Sequence, residues 1–375
     1  MIKFGTWSIV LLLGSLHGLS MAALLFATRR NRTANRCLAS LLVLVVLLVT
    51  PYTIGYAGFY DAYPWLTFAP FFWQLGFGPL IYLYVRQLGN ASLPRGWRWH
   101  FLPLALEVGY YSVLFCLPLD AKWRWNDDIH IRVVLPLQHA ATLASLVVYL
   151  YLADHHYRAY QHWLADNTGA REEYRLTWLR GFLVAISIAL LIALAFGAAH
   201  FVLRPLTYFD EFPLYVVFTL LVYYLGIEGW RQARLQFPQI DRAATAQADA
   251  QRAENAAVER DWPALGARCR ERTVAAQWWR EPEIDLAELA RRLGTNTNYL
   301  SRALNEGLGM NFSAFINRLR VEAAQQDLLQ PGEILSIALD VGFRSKASFN
   351  RAFKEYVGCT PSEWRARSSA ARITS

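Results

Sequence analysis

Ile334-Leu-Ser-Ile-Ala-Leu-Asp-Val-Gly342, followed at once by Phe343-Arg-Ser-Lys-Ala-Ser-Phe-Asn-Arg-Ala-Phe-Lys354, is the stretch whose reading decides the fold. A short run at helical period ends on a glycine, which takes the left-handed turn conformation without steric cost, and a second amphipathic run follows. The same construction stands forty-eight residues earlier. Asp285-Leu-Ala-Glu-Leu-Ala-Arg-Arg-Leu-Gly294 has apolar residues at helical spacing and a terminal glycine, and Asn296 or Thr297 can cap the helix after it. Tyr299, Leu300, Ala303 and Leu304 give that helix an inward face and leave Asn298, Ser301, Arg302 and Asn305 outward. Leu300-Ser-Arg-Ala-Leu304 aligns with Phe349-Asn-Arg-Ala-Phe353, Gly309 with Gly358, and Ser313 and Phe315 with Ser362 and Trp364, so the unit is repeated. Between the copies, Phe315 to Leu329 reads as one amphipathic helix of about four turns, roughly 22 Å long. Helix, glycine turn and helix is the arrangement that presents one exposed helix to a DNA major groove, and such a spacer could set two of them about one DNA turn, ~34 Å, apart.

Continued to Gly358-Cys-Thr-Pro-Ser-Glu-Trp-Arg365, the run from Ile337 resembles the AraC/XylS-type transcription regulators. The resemblance covers about Trp262 to Arg367. It implies double-stranded DNA as the partner, with Asn298, Ser301 and Arg302 of the first unit and Lys346, Ser348, Asn350 and Arg351 of the second facing it. Arg344, Lys354, Arg365 and Arg367 would meet phosphates, and RNA polymerase is a further partner of such a regulator. The chemistry fits, because arginine binds guanine and asparagine binds adenine bidentately, while serine and lysine serve base edges or phosphate. For Arg351, a base contact and a sequence-blind phosphate contact both remain open. Leu286, Leu289, Ala290, Leu293, Ile337, Ala338, Val341, Phe343, Phe349, Phe353 and Trp364 are expected in the core.

Outward from this domain the composition changes. The chain is 55% apolar with 14 Trp, 19 Tyr and 21 Phe, and its apolar runs crowd the first 230 positions. Runs of about 17 to 25 residues are long enough to cross a ~30 Å hydrocarbon core. Seven such spans are expected, at about 5–27, 37–58, 68–88, 100–117, 131–152, 178–203 and 213–230. The first stays apolar to Ala27 and meets Arg29, Arg30, Arg32 and Arg36 without a clear cleavage site, which favours a retained span over a signal peptide. Basic residues favour the cytoplasmic side, and the odd-numbered loops are the basic ones: the four arginines above, then Arg86, Arg95 and Arg98, then Arg158, Arg171 and Arg175. The expectation is an all-α protein in the bacterial inner membrane, in contact with lipid. It has a seven-helix bundle at 1–230, a helical linker at 231–260 and a two-unit helix-turn-helix domain at 261–370, with the N-terminus outside and the C-terminal domain cytoplasmic.

Polar groups inside spans are costly and usually face a partner or a cavity. His17, Gln74, Glu107, Gln138 and His139, with His200, are therefore candidates for sensing an unknown signal ligand. Structural pairing between helices explains Glu107 and His139 equally simply. In the linker, Ala243, Ala246, Ala250, Ala253 and Ala257 form a stripe at spacings of three and four, which suits either a homodimer seam or a solvated spacer. The net charge of +8 sits beside the spans and in the last thirty residues. Cys37, Cys116, Cys269 and Cys359 form no paired motif, so no metal, no cofactor and no disulfide is expected. Nor does any nucleophile-and-base, phosphate-loop or zinc-helix motif appear, so no catalytic residue is expected. The competing reading is a multi-pass membrane enzyme or receptor whose C-terminal domain binds a protein instead of DNA.

Overall fold

A computed structural model describes residues 2–90, 92–168, 177–202, 209–235, 237–238, 240 and 261–373, with backbone alone at 177, 197–202 and 369–373. The alanine stripe of the linker lies outside the described residues, as do Arg171, Arg175 and the side chain of His200. Among the described residues the chain is all-helical, without a strand; one isolated bridge joins Thr168 and Asp285. It forms two compact units, Met1–Tyr157 with Leu176–Phe237, and Arg158–Arg175 with Pro238–Ser375.

The first unit contains α1 (Thr6–Ala27), α2 (Arg32–Tyr56), α3 (Phe59–Ala62), α4 (Phe77–Gly89), α5 (Leu102–Phe115), α6 (Leu119–Trp125), α7 (Leu135–Asn167, whose last turns join the other unit), α8 (Thr177–Val202) and α9 (Phe212–Gln232). Close approach of α1 to α9 depends on a missing side chain: a Cβ at Gly14 would lie 2.1 Å from Thr219 Cγ2. Such small-residue contacts suit helices packed in lipid, where hydrophobic exclusion does not drive association. Beside it Leu11, Val49 and Tyr215 from α1, α2 and α9 form a buried cluster.

Among the described residues, five helical runs are long and apolar enough to cross a membrane: α1, α2, the continuous run Leu119–Asn167, Trp178–Phe196 and α9. The third and fourth of the seven expected spans are not among them. The third and fourth expected spans become α4 and α5, of 13 and 14 residues, about 20 Å each at 1.5 Å per residue and short of ~30 Å. The causes are local. Pro70 lacks an amide hydrogen and disfavours helix at Ala69, and Phe68 takes φ +64°, so 67–73 is irregular. Pro103 stands at the start of α5 and Pro118 just past its end. The expected loop before the fifth span is helical as well: α6 continues through a π-helical stretch, Asn126–Val134, into α7. Lys122 of α6 is buried and donates to the Trp65 carbonyl at 2.8 Å.

The second unit holds α10 (Trp262–Ala275), α11 (Leu286–Leu293), α12 (Thr297–Arg302, prolonged by a π turn Ala303–Gly307), α13 (Phe312–Asp327), α14 (Ile334–Asp340), α15 (Lys346–Val357) and α16 (Pro361–Ile373). Side chains cap most of them. Asp285 accepts from Glu288 N at 2.8 Å, Asn296 from Tyr299 N at 2.8 Å and Asn311 from Ala314 N at 2.9 Å. Thr360 and Glu363 make a reciprocal box at the start of α16, and the two donations to Glu363 hold its carboxyl below the usual range. One continuous core includes Leu286, Leu289, Leu293, Leu300, Leu304, Phe312, Phe315, Ile316, Ile337, Phe343, Phe349 and Phe353. Removing each large side chain from water contributes roughly 1.5–3 kcal/mol. Trp364 packs against this core while only partly buried.

Candidate nucleic-acid interface

The two turns are built alike. Gly294 closes α11 at φ +70° and Gly342 follows α14 at φ +91°, both in the region that favours glycine. A Cβ at Gly342 would also lie 2.4 Å from the Arg280 carbonyl oxygen, so this turn admits no other residue without a shift. Each turn delivers a capped helix, α12 after Asn296 and α15 after Ser345. Leu300 and Leu304 of the first, and Phe349 and Phe353 of the second, point into the shared core and fix the rotation of each helix.

That rotation decides which predicted contacts reach the surface. Asn298 and Arg302 are exposed and Ser301 is half-buried on α12; Lys346, Arg351 and Lys354 are exposed and Asn350 half-buried on α15. Arg344, in the turn, is also exposed and lies 3.5 Å from a Glu283 oxygen. Ser348 does not face outward, which corrects its expected role. It is 7% exposed, and its hydroxyl lies 2.9 Å from Ser345 Oγ and donates to the Ser345 carbonyl at 2.9 Å. Position three of a capped helix is where a short polar side chain turns back on the cap, and α15 uses Ser348 this way. Arg365 is drawn aside too, donating to the Gly332 carbonyl at 2.8 Å.

Three residues that sequence reasoning missed shape the interface. Arg320 of α13 is 1% exposed and donates to the carbonyls of Trp279 at 2.8 Å and Glu281 at 2.7 Å, tying the linking helix to the segment between α10 and α11. Its place in an amphipathic stretch gave no sign of burial. Trp262 and Glu306 flank Arg302: the guanidinium sits 4.3 Å over the Trp262 ring and donates to both Glu306 oxygens at 2.8 and 3.2 Å. The Glu306 spacing of four from Arg302 was visible in the sequence; the tryptophan was not.

In the first unit of the molecule the candidate sensing residues divide. Glu107 is buried and accepts from the Leu75 amide at 3.0 Å and from Gln138 Nε2 at 2.7 Å, with the Gln74 amide also bonded to it. Tyr111 donates to Gln138 at 2.7 Å. Glu107 thus caps the start of the short turn Gln74–Gly76 from a neighbouring helix and joins α5 to α7 through Gln138. His17 stands apart, stacked on Tyr223 at 4.1 Å with a buried, unpartnered Nε2, and His139 is exposed on α7. Cys37, Cys269 and Cys359 are buried while Cys116 is exposed. No group of three metal-ligating side chains occurs among the described residues.

Comparison with known proteins places the class. Residues 289–367 match the family described as "Helix-turn-helix domain", a range that runs from within α11 to α16 and takes in α12 and α15. Two uncharacterized HTH-type transcriptional regulators of Staphylococcus aureus, from strains MSSA476 and N315, are each 40% identical over 84 residues, covering 22% of this chain and 11% of theirs. The uncharacterized HTH-type transcriptional regulator YtdP of Bacillus subtilis is 34% identical over 86 residues, 23% of this chain and 11% of its own. The chain thus spans about a tenth of the length of these relatives. No solved structure matches it. The C-terminal part of the chain is a helix-turn-helix domain of the kind found in these transcriptional regulators.

Proposed function

We propose that this chain is a membrane-anchored, sequence-specific regulator of transcription, whose C-terminal AraC-type domain binds double-stranded DNA. The observation that carries the reading is the repeated capped helix, α12 and α15, each fixed by the core with cationic and amide side chains outward: Asn298 and Arg302 on one, Lys346, Asn350, Arg351 and Lys354 on the other. Helices so presented are what a major groove admits. Residues 1–230 form the membrane part, 231–260 the linker and 261–370 the DNA-binding part.

Anchoring is supported by the five long apolar helices. With an odd number of spans, as the seven expected from the sequence, the N-terminus lies outside and the DNA-binding domain in the cytoplasm. The short loop Thr28–Asn31 between α1 and α2, with its flanking arginines, then faces the cytoplasm, as basic loops do. A membrane or envelope signal that prefers one arrangement of the bundle would shift the population of the DNA-binding state, and the Glu107–Gln138–Tyr111 network joining α5 and α7 is the place such a shift would register. A homodimer through the linker stripe and contact with RNA polymerase complete the proposal. Genome-wide crosslinking of the full-length protein, compared with an Arg302→Ala, Arg351→Ala double variant, tests it. Discrete sites lost in the variant are expected; the same profile in both, or no sites, refutes DNA reading by these helices.

A further inference from the structure

The family resemblance turns Arg302 toward the DNA, yet the structure holds its guanidinium against Glu306 and Trp262. Its Nε and one terminal nitrogen donate to the two oxygens of Glu306, a fork-to-fork pair that uses the same planar donor edge as guanine recognition. The pair holds the Glu306 carboxyl below the usual range and the Arg302 guanidinium above its own. The guanidinium also lies over the Trp262 ring, 4.3 Å from its centroid. In this arrangement the Arg302–Glu306 pair has no net charge and offers less to phosphate than a bare guanidinium would.

Trp262 is held in place by backbone. A Cβ at Gly307 would lie 2.2 Å from the Trp262 carbonyl oxygen, and one at Gly266 would lie 2.7 Å from the Ala303 carbonyl oxygen. The first turn of α10 and the end of the α12 helix therefore meet at a distance only glycine allows, with the Trp262 ring also 6.0 Å from Tyr299. The Trp262 backbone cannot move away from Arg302 without parting these two helices. It is also the first residue of α10, at the point where the chain from the apolar half enters the domain.

We propose that Trp262 and Glu306 are positioning residues that hold Arg302 in a stored state, and that the first unit reads DNA only when Arg302 exchanges both contacts for the duplex. The proposal rests on the DNA-binding reading above. It makes the entry to α10 the place where a pull on the chain is converted into an available arginine. It also sets a threshold, because a weakly matched duplex must displace two existing contacts to gain one.

The test uses full-length protein in lipid nanodiscs and a 30-base-pair duplex of randomised sequence, with affinity measured across salt. Glu306→Gln should bind about two- to fivefold more tightly than wild type, the scale of a solvent-exposed paired contact. The slope of log affinity against log salt should steepen by about 0.9, one more phosphate-scale cation. Trp262→Leu should move both quantities the same way, and Trp262→Phe should restore wild-type values. In an Arg302→Ala background Glu306→Gln should change nothing. An equal gain with and without Arg302 would mean that Glu306 merely repels phosphate, and overturns the proposal. So does an unchanged slope in Glu306→Gln. Wild type that binds no duplex at any salt overturns both this proposal and the DNA-binding reading.

Discussion

Arg320→Met removes the most deeply buried charge in the helix-turn-helix domain while keeping a stem of similar length in the same channel. The wild-type guanidinium is 1% exposed and bonds the Trp279 and Glu281 carbonyls at 2.8 and 2.7 Å. It also stands 5.6 Å from the Phe343 ring. Hydrogen bonds from a charged donor contribute about 1.5–3 kcal/mol each, and two carbonyls would be left without their donor, so the loss is about 3–6 kcal/mol. That is a large share of the ~5–15 kcal/mol by which a domain is stable. Because the whole chain is not a two-state system, local amide exchange in the full-length protein is the assay, read in peptides from α11, α13 and α15. At 1.4 kcal/mol per tenfold, exchange should accelerate roughly a hundred- to ten-thousand-fold. Arg318→Met, two residues away but more than half exposed and paired with Glu322 at 3.0 Å along α13, is the matched control and should change exchange by less than about fivefold. Arg320→Met within fivefold of wild type would refute the role of these two bonds in joining α13 to the segment before α11.

Three further outcomes are expected. Ser345→Ala removes the acceptor that caps Ser348 N at 3.2 Å and should cost about 1 kcal/mol, seen as roughly fivefold faster exchange across the first turn of α15. The Glu288 carboxyl is held down to about 2 by Arg291 and Arg292, so its contribution is present above the ordinary carboxylate value of ~4.3 and is lost as pH falls through about 2. Exchange in α11 should therefore rise between about pH 4.5 and pH 2, and Glu288→Gln should flatten that rise; an unchanged pH profile in the variant counts against the pairing. Reporter enzymes active on only one side of the membrane, fused after Phe209 and after Gln232, should report opposite sides, outside and inside respectively, since α9 lies between them. The same side at both positions would remove α9 as a crossing helix.

The repeat, the two glycine turns, the cap at Asn296 and the apolar positions of the C-terminal core were legible in the sequence because each is a local rule. Helical period, left-handed glycine and short polar caps act within a few residues, and Leu286, Leu289, Leu300, Phe349 and Phe353 are buried where that period places them. The all-helical class and the apolar character of the first 230 residues were legible for the same reason. What only the tertiary structure decided depends on neighbours distant in the chain. Hydropathy counts apolar residues but not where an irregular stretch around Pro70 shortens a helix, so the apolar run 68–88 holds a helix of only 13 residues. A polar residue on a presumed outer face becomes Ser348 folded onto its own cap, or Arg320 sealed against carbonyls some forty positions earlier. Glu107 proved to be a cap for a turn on another helix, and Arg302 is held by a tryptophan forty positions before it. Local pattern fixes which way a helix tends to face; only packing decides what meets it there.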